Sequence, residues 1–201
     1  MALLFSKIDL AVYAERIVSN GLAAVDTLPS AELTSEEDAL VTRITDLTAP
    51  RRLVIGEPLD PHVEDCQLDA RQDPMHLIVN RSHPALIPGI RVIYGVPFEG
   101  AKDLFDVRPT GFTLNPPAVA AVSDSILTYI YEYFADAKLQ ADAIKARLRQ
   151  DIAALSPWIG WINHDVDELR RTVEQRVRVA LQRRKSGLAQ AQRLAQELRG
   201  E

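Results

Sequence analysis

The sequence predicts an α+β fold with N-terminal helices, a small antiparallel β-sheet or sandwich, and a long C-terminal helical hairpin or coiled coil. Ten of the twelve prolines lie between Pro50 and Pro117, among short β-rich pieces, and helical periodicity lies before and after them. Strands and helices do not alternate, so a doubly wound fold is not expected. We therefore predict three parts: N-terminal helices at 1–50, a β-rich body at 51–135 and a helical extension at 136–201.

Two amphipathic runs predict the N-terminal helices. Apolar residues recur at near-helical spacing over 8–27 and again over 34–48. Pro29 and Pro50 follow these runs, and a proline is a common stop signal for a helix.

The middle region predicts short strands separated by turn signals at a spacing near ten residues, which favours antiparallel pairing. The predicted strands are 52–56, 62–70, 76–80, 89–96, 119–122 and 125–134. In the last of them Ile126, Thr128 and Ile130 alternate with the apolar residues of the other face. Because both faces are largely apolar, we expect this strand to be covered on both sides.

The C-terminal region carries an apolar stripe with the steps of three and four that are typical of a coiled coil. We predict that this stripe and the two tryptophans beside it form an interface between chains: Trp158, Ile159, Trp161, Ile162, Val166, Leu169 and Val173. For the tryptophans, a plug between helix and sheet is the alternative. A single helix over 159–199 would be about 60 Å long, so it must pair with the preceding helix, a second copy or a partner.

Two positions are expected to interrupt this helical region. Ser156-Pro157 either kinks one helix or begins a second one, since proline suits the first position of a helix. Ser186-Gly187 is the expected break, because glycine inside a helix costs about 1 kcal/mol relative to alanine.

Charge is distributed unevenly along the chain. The net charge is −9 over residues 1–135 and +4 over residues 136–201. The densest basic run could contact phosphates of nucleic acid: Arg170, Arg171, Arg176, Arg178, Arg183, Arg184 and Lys185. The overall acidity and the lack of interleaved aromatic residues favour instead the polar face of a coiled coil, or a surface that meets the acidic body of another copy.

Composition excludes several classes of protein. A single cysteine, Cys66, cannot form an internal disulfide, which fits a reducing compartment, and four scattered histidines do not make a structural zinc site. No apolar run is long enough to span a bilayer, and the first residues lack the features of a secretory signal. We expect a cytoplasmic protein with no membrane association, no cofactor and no bound metal.

No recognisable catalytic constellation is present. His164 and Glu168 have the spacing of half a metal site, but no further ligands lie nearby, so a solvated acidic face is the preferred interpretation. His62 and Cys66 would approach each other only on a helix, and we expect a strand there. The sequence contains no motif typical of a serine hydrolase, a P-loop or a dinucleotide site. We therefore predict no catalytic residues, and a small metal-dependent hydrolase is the least favoured alternative.

Several segments within residues 90–190 carry a resemblance: Gly95–Gly100, Pro109–Pro117, Trp161-Ile162-Asn163 and Arg183-Arg184-Lys185. Together they resemble a region of bacterial anti-phage defence proteins that precedes a TIR or restriction-endonuclease-like effector domain. The resemblance implies a sensor and assembly part and supplies no catalytic residues.

The sequence thus predicts a non-catalytic recognition and oligomerisation module that controls or scaffolds an effector. We expect a homo-oligomer formed through the C-terminal helices, with an effector domain or protein as a further partner. Binding of nucleic acid through the basic helix 170–185 is the alternative.

Overall fold

The computed structural model describes residues 2–137 and 140–200 and confirms the α+β class. The helices are α1 (Leu10–Thr27), α2 (Glu37–Thr48) and α3 (Ala141–Arg199). The strands are β1 (Ala2–Leu3), β2 (Ile8–Asp9), β3 (Val54–Ile55), β4 (His62–Asp69), β5 (Leu86–Glu99), β6 (Val107–Arg108), β7 (Ala118–Val119), β8 (Ala121–Val122) and β9 (Ile126–Phe134).

The chain divides into two compact units. The sheet unit contains the chain up to Leu4, Leu53–Lys102 and Thr113–Ile159. The helical unit contains Phe5–Arg52, Asp103–Phe112 and the chain from Gly160 onward. Each unit therefore combines stretches that are distant in sequence.

Strand β5 is the centre of the sheet unit. It pairs antiparallel with β9 along Gly89–Pro97 and, on its other side, with β4 along Leu86–Ile93 and with β3 at its end. Strand β8 pairs with the outer side of β9 at two residues. Short β1 pairs with β7 in a separate ladder.

One face of this sheet is buried and the other is partly open. Alternate residues of the two central strands form the core: Val92, Tyr94, Val96, Phe98, Leu127, Tyr129 and Tyr131. The Tyr131 hydroxyl donates a hydrogen bond to Asp151 at 2.6 Å, which places the first part of α3 against this face. On the opposite face Ile130 is 42% exposed, so the expectation that both faces of β9 are covered is wrong. Antiparallel sheets commonly leave one face to solvent, even when it carries apolar residues.

The strand predicted at 76–80 is also wrong. This segment lies in the connection between β4 and β5, where Leu77 and Val79 are 95% and 97% exposed. Side chains before the segment and at its end bind the local backbone: Asp73 accepts the N–H of Met75 at 2.8 Å, and Asn80 accepts that of Ser82 at 2.9 Å. Such local hydrogen bonds compete with strand pairing.

In the helical unit α1 and α3 approach each other closely. Helix α1 buries Tyr13, Ile17, Gly21 and Val25, which repeat every four residues along one face. A Cβ atom at Gly21 would lie 3.3 Å from methyl groups of both Val173 and Val177 on α3. Glycine therefore permits this close approach of the two helices.

The long C-terminal helix is confirmed, and it is a single continuous helix of 59 residues. The break expected at Ser186-Gly187 is wrong, and Pro157 lies inside the helix instead of beginning a second one. The cost of one glycine is about 1 kcal/mol, which the good helix formers that follow Gly187 offset.

Candidate functional site

The apolar stripe of α3 is buried within the chain itself. Trp158, Ile162, Val166, Leu169 and Val173 are all 5% exposed or less, and Ile159 and Trp161 are half-buried. Full burial of such side chains contributes roughly 1.5–3 kcal/mol each to folding. The buried part of the stripe therefore does not need a second copy to cover it, and the predicted interface stays a prediction.

Trp161 packs against the backbone of residue 111. A Cβ atom at Gly111 would lie 2.9 Å from the indole ring, closer than side-chain carbons approach one another. Gly111 lies in the connection after β6 and not in a strand, so the plug between helix and sheet stays a prediction. This packing gives no support to Trp161 as an exposed anchor for a partner.

Most of the basic run of α3 is engaged inside the helical unit. Arg170 pairs with Asp46 at 2.5 Å, and Arg178 pairs with Asp38 at 2.6 Å. The Asp38 hydrogen bond also raises the pKa of Arg178 above its ordinary value. These two ion pairs connect α3 with α2.

Three more basic residues of this run have partners. Arg171 pairs with Glu168 at 2.5 Å, and Arg184 donates to the carbonyl oxygens of Val25 and Leu28 at the end of α1. Lys185 donates to the carbonyl of Ser35 at 3.4 Å. Arg176 and Arg183 remain exposed. Five of the seven basic residues are therefore paired within the helical unit, and nucleic-acid binding through this run stays a prediction.

A groove lies between α1 and α3 in the helical unit, with a volume of about 580 Å³. Its α1 wall includes four half-buried apolar residues spaced four apart, Leu10, Ala14, Val18 and Leu22, beside the polar Glu15 and Ser19. Its α3 wall includes Leu169, Thr172 and Arg176. We call this feature the α1–α3 groove. A row of apolar residues spaced by four on a groove wall is suited to receive an amphipathic helix.

Asp165 is a buried residue that lines the α1–α3 groove. It is 7% exposed, and it accepts the backbone N–H of Thr110 at 2.7 Å and the Thr110 hydroxyl at 2.8 Å. Asp165 is therefore not part of the solvated acidic face that was predicted around His164 and Glu168. Its neighbours His164 and Glu168 are exposed at the rim of the groove.

The part of α3 beyond Lys185 differs from the rest of the helix because its apolar residues are exposed. Leu194 is 55% and Leu198 is 79% exposed, and Leu188 is half-buried. With Ala191 they form a stripe along residues 186–199, which we call the distal segment. Glu197 lies on one flank of this stripe and Arg199 on the other, at 100° per residue.

The other sequence candidates do not form a reactive site. Four residues along β4 separate His62 from Cys66, which corresponds to about 13 Å. Cys66 is a half-buried free thiol, and His62 lies 3.5 Å from Glu64. Within residues 2–137 and 140–200, no three or more His, Cys, Asp or Glu side chains are grouped so that they could hold a metal ion.

No helix within the described residues combines the length and the apolar character required to cross a bilayer. No protein-family model, curated protein or solved structure matches this chain.

Proposed function

We propose that this chain is a self-assembly module in which the distal segment of one copy docks in the α1–α3 groove of another. The exposed leucine stripe of the distal segment is the observation that carries the proposal. An assembly of this kind can hold an effector partner next to several copies of the chain. That role agrees with the resemblance to the sensor and assembly region of anti-phage defence proteins.

Size and shape support this pairing. The α1 wall from Leu10 to Leu22 is about 18 Å long, and the stripe from Leu188 to Leu198 is about 15 Å long, at roughly 1.5 Å per residue. Both surfaces are apolar, so docking removes the exposed leucines from water.

The charges of the groove and of the distal segment also support their pairing. The groove carries Glu15 on its α1 wall and Arg176 on its α3 wall. The distal segment carries Arg199 and Glu197 on opposite flanks of its stripe. In one orientation of the docked helix, Arg199 lies on the side of Glu15 and Glu197 lies on the side of Arg176. The reverse orientation brings like charges together, so the first is favoured.

The distal segment cannot reach the groove of its own chain. Arg176, on the α3 wall, precedes Leu188 by twelve residues of the same continuous helix, or about 18 Å along the axis. Docking is therefore intermolecular and joins two different surfaces, so it can close into a ring or continue as an open chain of copies.

The test is sedimentation velocity over a wide concentration range. We expect the wild-type chain to associate as its concentration rises, and the double variant Leu194→Lys, Leu198→Lys to remain monomeric. The control Ala189→Lys, Gln196→Lys places the same two charges on the opposite side of the helix and is expected to associate like wild type. A wild-type monomer at every concentration, with its helix content intact, contradicts the proposal.

Mixing two defective variants provides a sharper measurement. Val18→Glu places a charge in the groove and leaves the distal segment unchanged. The variant Leu194→Lys, Leu198→Lys places charges in the distal segment and leaves the groove unchanged. Each is expected to be monomeric alone, and an equimolar mixture is expected to form a heterodimer through the one intact interface. If the mixture stays monomeric while both variants are folded, the distal segment and the groove are not partners.

A further inference from the structure

Strand β9 in the sheet unit has a partner along its full length on one side only. Its inner side pairs with β5 from Ile126 to Phe134, but its outer side pairs with β8 only at Leu127 and Thr128. Beyond Thr128 no strand among residues 2–137 and 140–200 is hydrogen-bonded to the outer edge, and β7, which pairs with β1, lies near it without pairing. An exposed edge of this kind is a template for the addition of another strand.

The hydrogen bonds at the two ends of β9 identify which residues face this edge. On the outer side, the carbonyl of Thr128 accepts the N–H of Ala120 at 2.8 Å. On the inner side, the N–H of Ala135 donates to the carbonyl of Pro88 at 3.1 Å. Because alternate residues of an antiparallel strand bond to opposite sides, Ile130 and Glu132 direct their N–H and C=O groups outward.

A groove of about 710 Å³ runs beside this edge. It is lined by Ala118 and Val119 of β7 and the adjacent Ala120, by β9 from Tyr129 to Glu132, and by Arg147 and Asp151 of α3. A strand edge with a helix beside it is the arrangement in which several peptide-binding domains hold an extended segment.

One charged group in the groove has no opposite charge within salt-bridge distance among residues 2–137 and 140–200. The Arg147 guanidinium lies 4.9 Å from the centroid of the Tyr131 ring, and no acidic side chain of the described chain pairs with it. The two nearby acids are engaged: Asp151 accepts the Tyr131 hydroxyl, and Glu132 pairs with Arg91 at 2.8 Å. A planar guanidinium held over an aromatic ring is suited to bind a carboxylate.

We propose that the outer edge of β9 binds an extended peptide segment of a partner protein by strand addition, with an acidic side chain of that segment paired to Arg147. The backbone groups of Ile130 and Glu132 provide up to four hydrogen bonds. This recognition site lies in the sheet unit and is independent of the proposed self-assembly, which uses the helical unit alone.

The probe is a phage-displayed library of random octapeptides panned against the full chain, followed by synthesis of the enriched peptides. We expect these peptides to alternate β-branched or aromatic residues with polar ones and to share an Asp or Glu. Their affinity is measured by fluorescence anisotropy. Bound peptide is also expected to slow hydrogen exchange of the Ile130 and Glu132 amides.

Two variants locate the site. Ile130→Pro removes an outward N–H without removing a hydrogen bond to β5, and it is expected to abolish binding, whereas Ile130→Ala keeps the N–H and retains binding. Arg147→Glu, on an exposed helix position, is expected to weaken binding about tenfold or more. Peptide binding in the Leu194→Lys, Leu198→Lys variant is expected to be unchanged, which separates this site from self-assembly.

The proposal is overturned if no peptide is enriched, or if enriched peptides bind Ile130→Pro and Arg147→Glu as tightly as wild type. Loss of binding in Ile130→Pro with full affinity in Arg147→Glu contradicts the acidic specificity. If Ile130→Pro does not fold, Arg147→Glu and the amide exchange of the wild-type complex still decide the question.

Discussion

At the scale of single residues, Asp165 illustrates what spacing alone does not reveal. In the sequence it stands between His164 and Val166, within a run of acids that has the pattern of a solvated face. In the fold it is buried and accepts two hydrogen bonds from Thr110, which is 55 residues away along the chain. Helical periodicity does not depend on a residue so far away in the sequence. The burial of Asp165 and its hydrogen bonds to Thr110 could therefore not be predicted.

Removal of this buried acceptor is expected to destabilise the chain. Asp165→Ala leaves the Thr110 N–H without its partner, and a buried unsatisfied donor costs about 1–3 kcal/mol. The measurement is urea unfolding followed by circular dichroism. Glu174→Ala, an exposed acid on the same helix, is the control and is expected to change stability by less than about 0.5 kcal/mol. Equal effects of the two substitutions would show that the Thr110 contact is unimportant.

Because two tyrosines are buried, we expect the stability of the fold to decrease in alkali. Burial raises the pKa of Tyr129 to about 12, with a further contribution from the charge of Asp151. Burial and the hydrogen bond to Asp151 also raise the pKa of Tyr131. Because the folded chain holds these protons more tightly than the unfolded chain, the stabilisation is complete below pH 10 and is lost as the pH rises above it.

Tyr129→Phe removes one of these ionisable groups. We expect the variant to lose less stability than wild type between pH 10 and pH 12, by about 1–3 kcal/mol. Urea unfolding at a series of pH values gives the comparison. Tyr133→Phe, a substitution on the same strand, serves as the control. An alkaline profile identical to that of wild type would rule out a contribution from Tyr129.

At the scale of elements, the helices were predicted more successfully than the short strands. Both N-terminal helices and the long C-terminal helix follow from apolar residues that repeat over many turns. Strands β1, β2 and β6 contain two residues each, and a period of two cannot be recognised in so short a segment. Their pairing depends on chain segments that are far away in sequence.

Two glycines in helices are expected to respond in opposite ways to substitution. Gly21→Val inserts methyl groups where Val173 and Val177 already approach closely, so it is expected to cost about 1–3 kcal/mol in urea unfolding. At Gly187 no atom lies within 4 Å of an added Cβ, so Gly187→Ala is expected to stabilise the local helix by about 0.5–1 kcal/mol. Slower amide exchange in the distal segment would report that gain. Faster exchange there would contradict it.

At the scale of the whole molecule, composition separated 1–50, 51–135 and 136–201, and that division into domains stays a prediction. The two compact units each draw on all three of these regions. Proline content and charge describe contiguous stretches, so they cannot reveal units that are assembled from separate stretches.

The candidate surfaces were predictable only in part. A C-terminal helix with an apolar stripe was expected, but the same pattern describes both the buried residues such as Val166 and the exposed Leu194. Which part of a stripe remains exposed depends on how far the neighbouring helices extend. The open edge of β9 depends on where β8 ends, and no local residue pattern encodes that position.

The interleaving of the two units has a consequence for biosynthesis. The polypeptide passes from one unit to the other five times, the last time after Ile159. The sheet unit needs Leu148 and Leu155 to fill its interior, and the helical unit needs residues as late as Leu181. A nascent polypeptide on the ribosome therefore cannot complete either interior until its last third has been translated. Until then its apolar segments depend on chaperones or on rapid elongation to avoid aggregation.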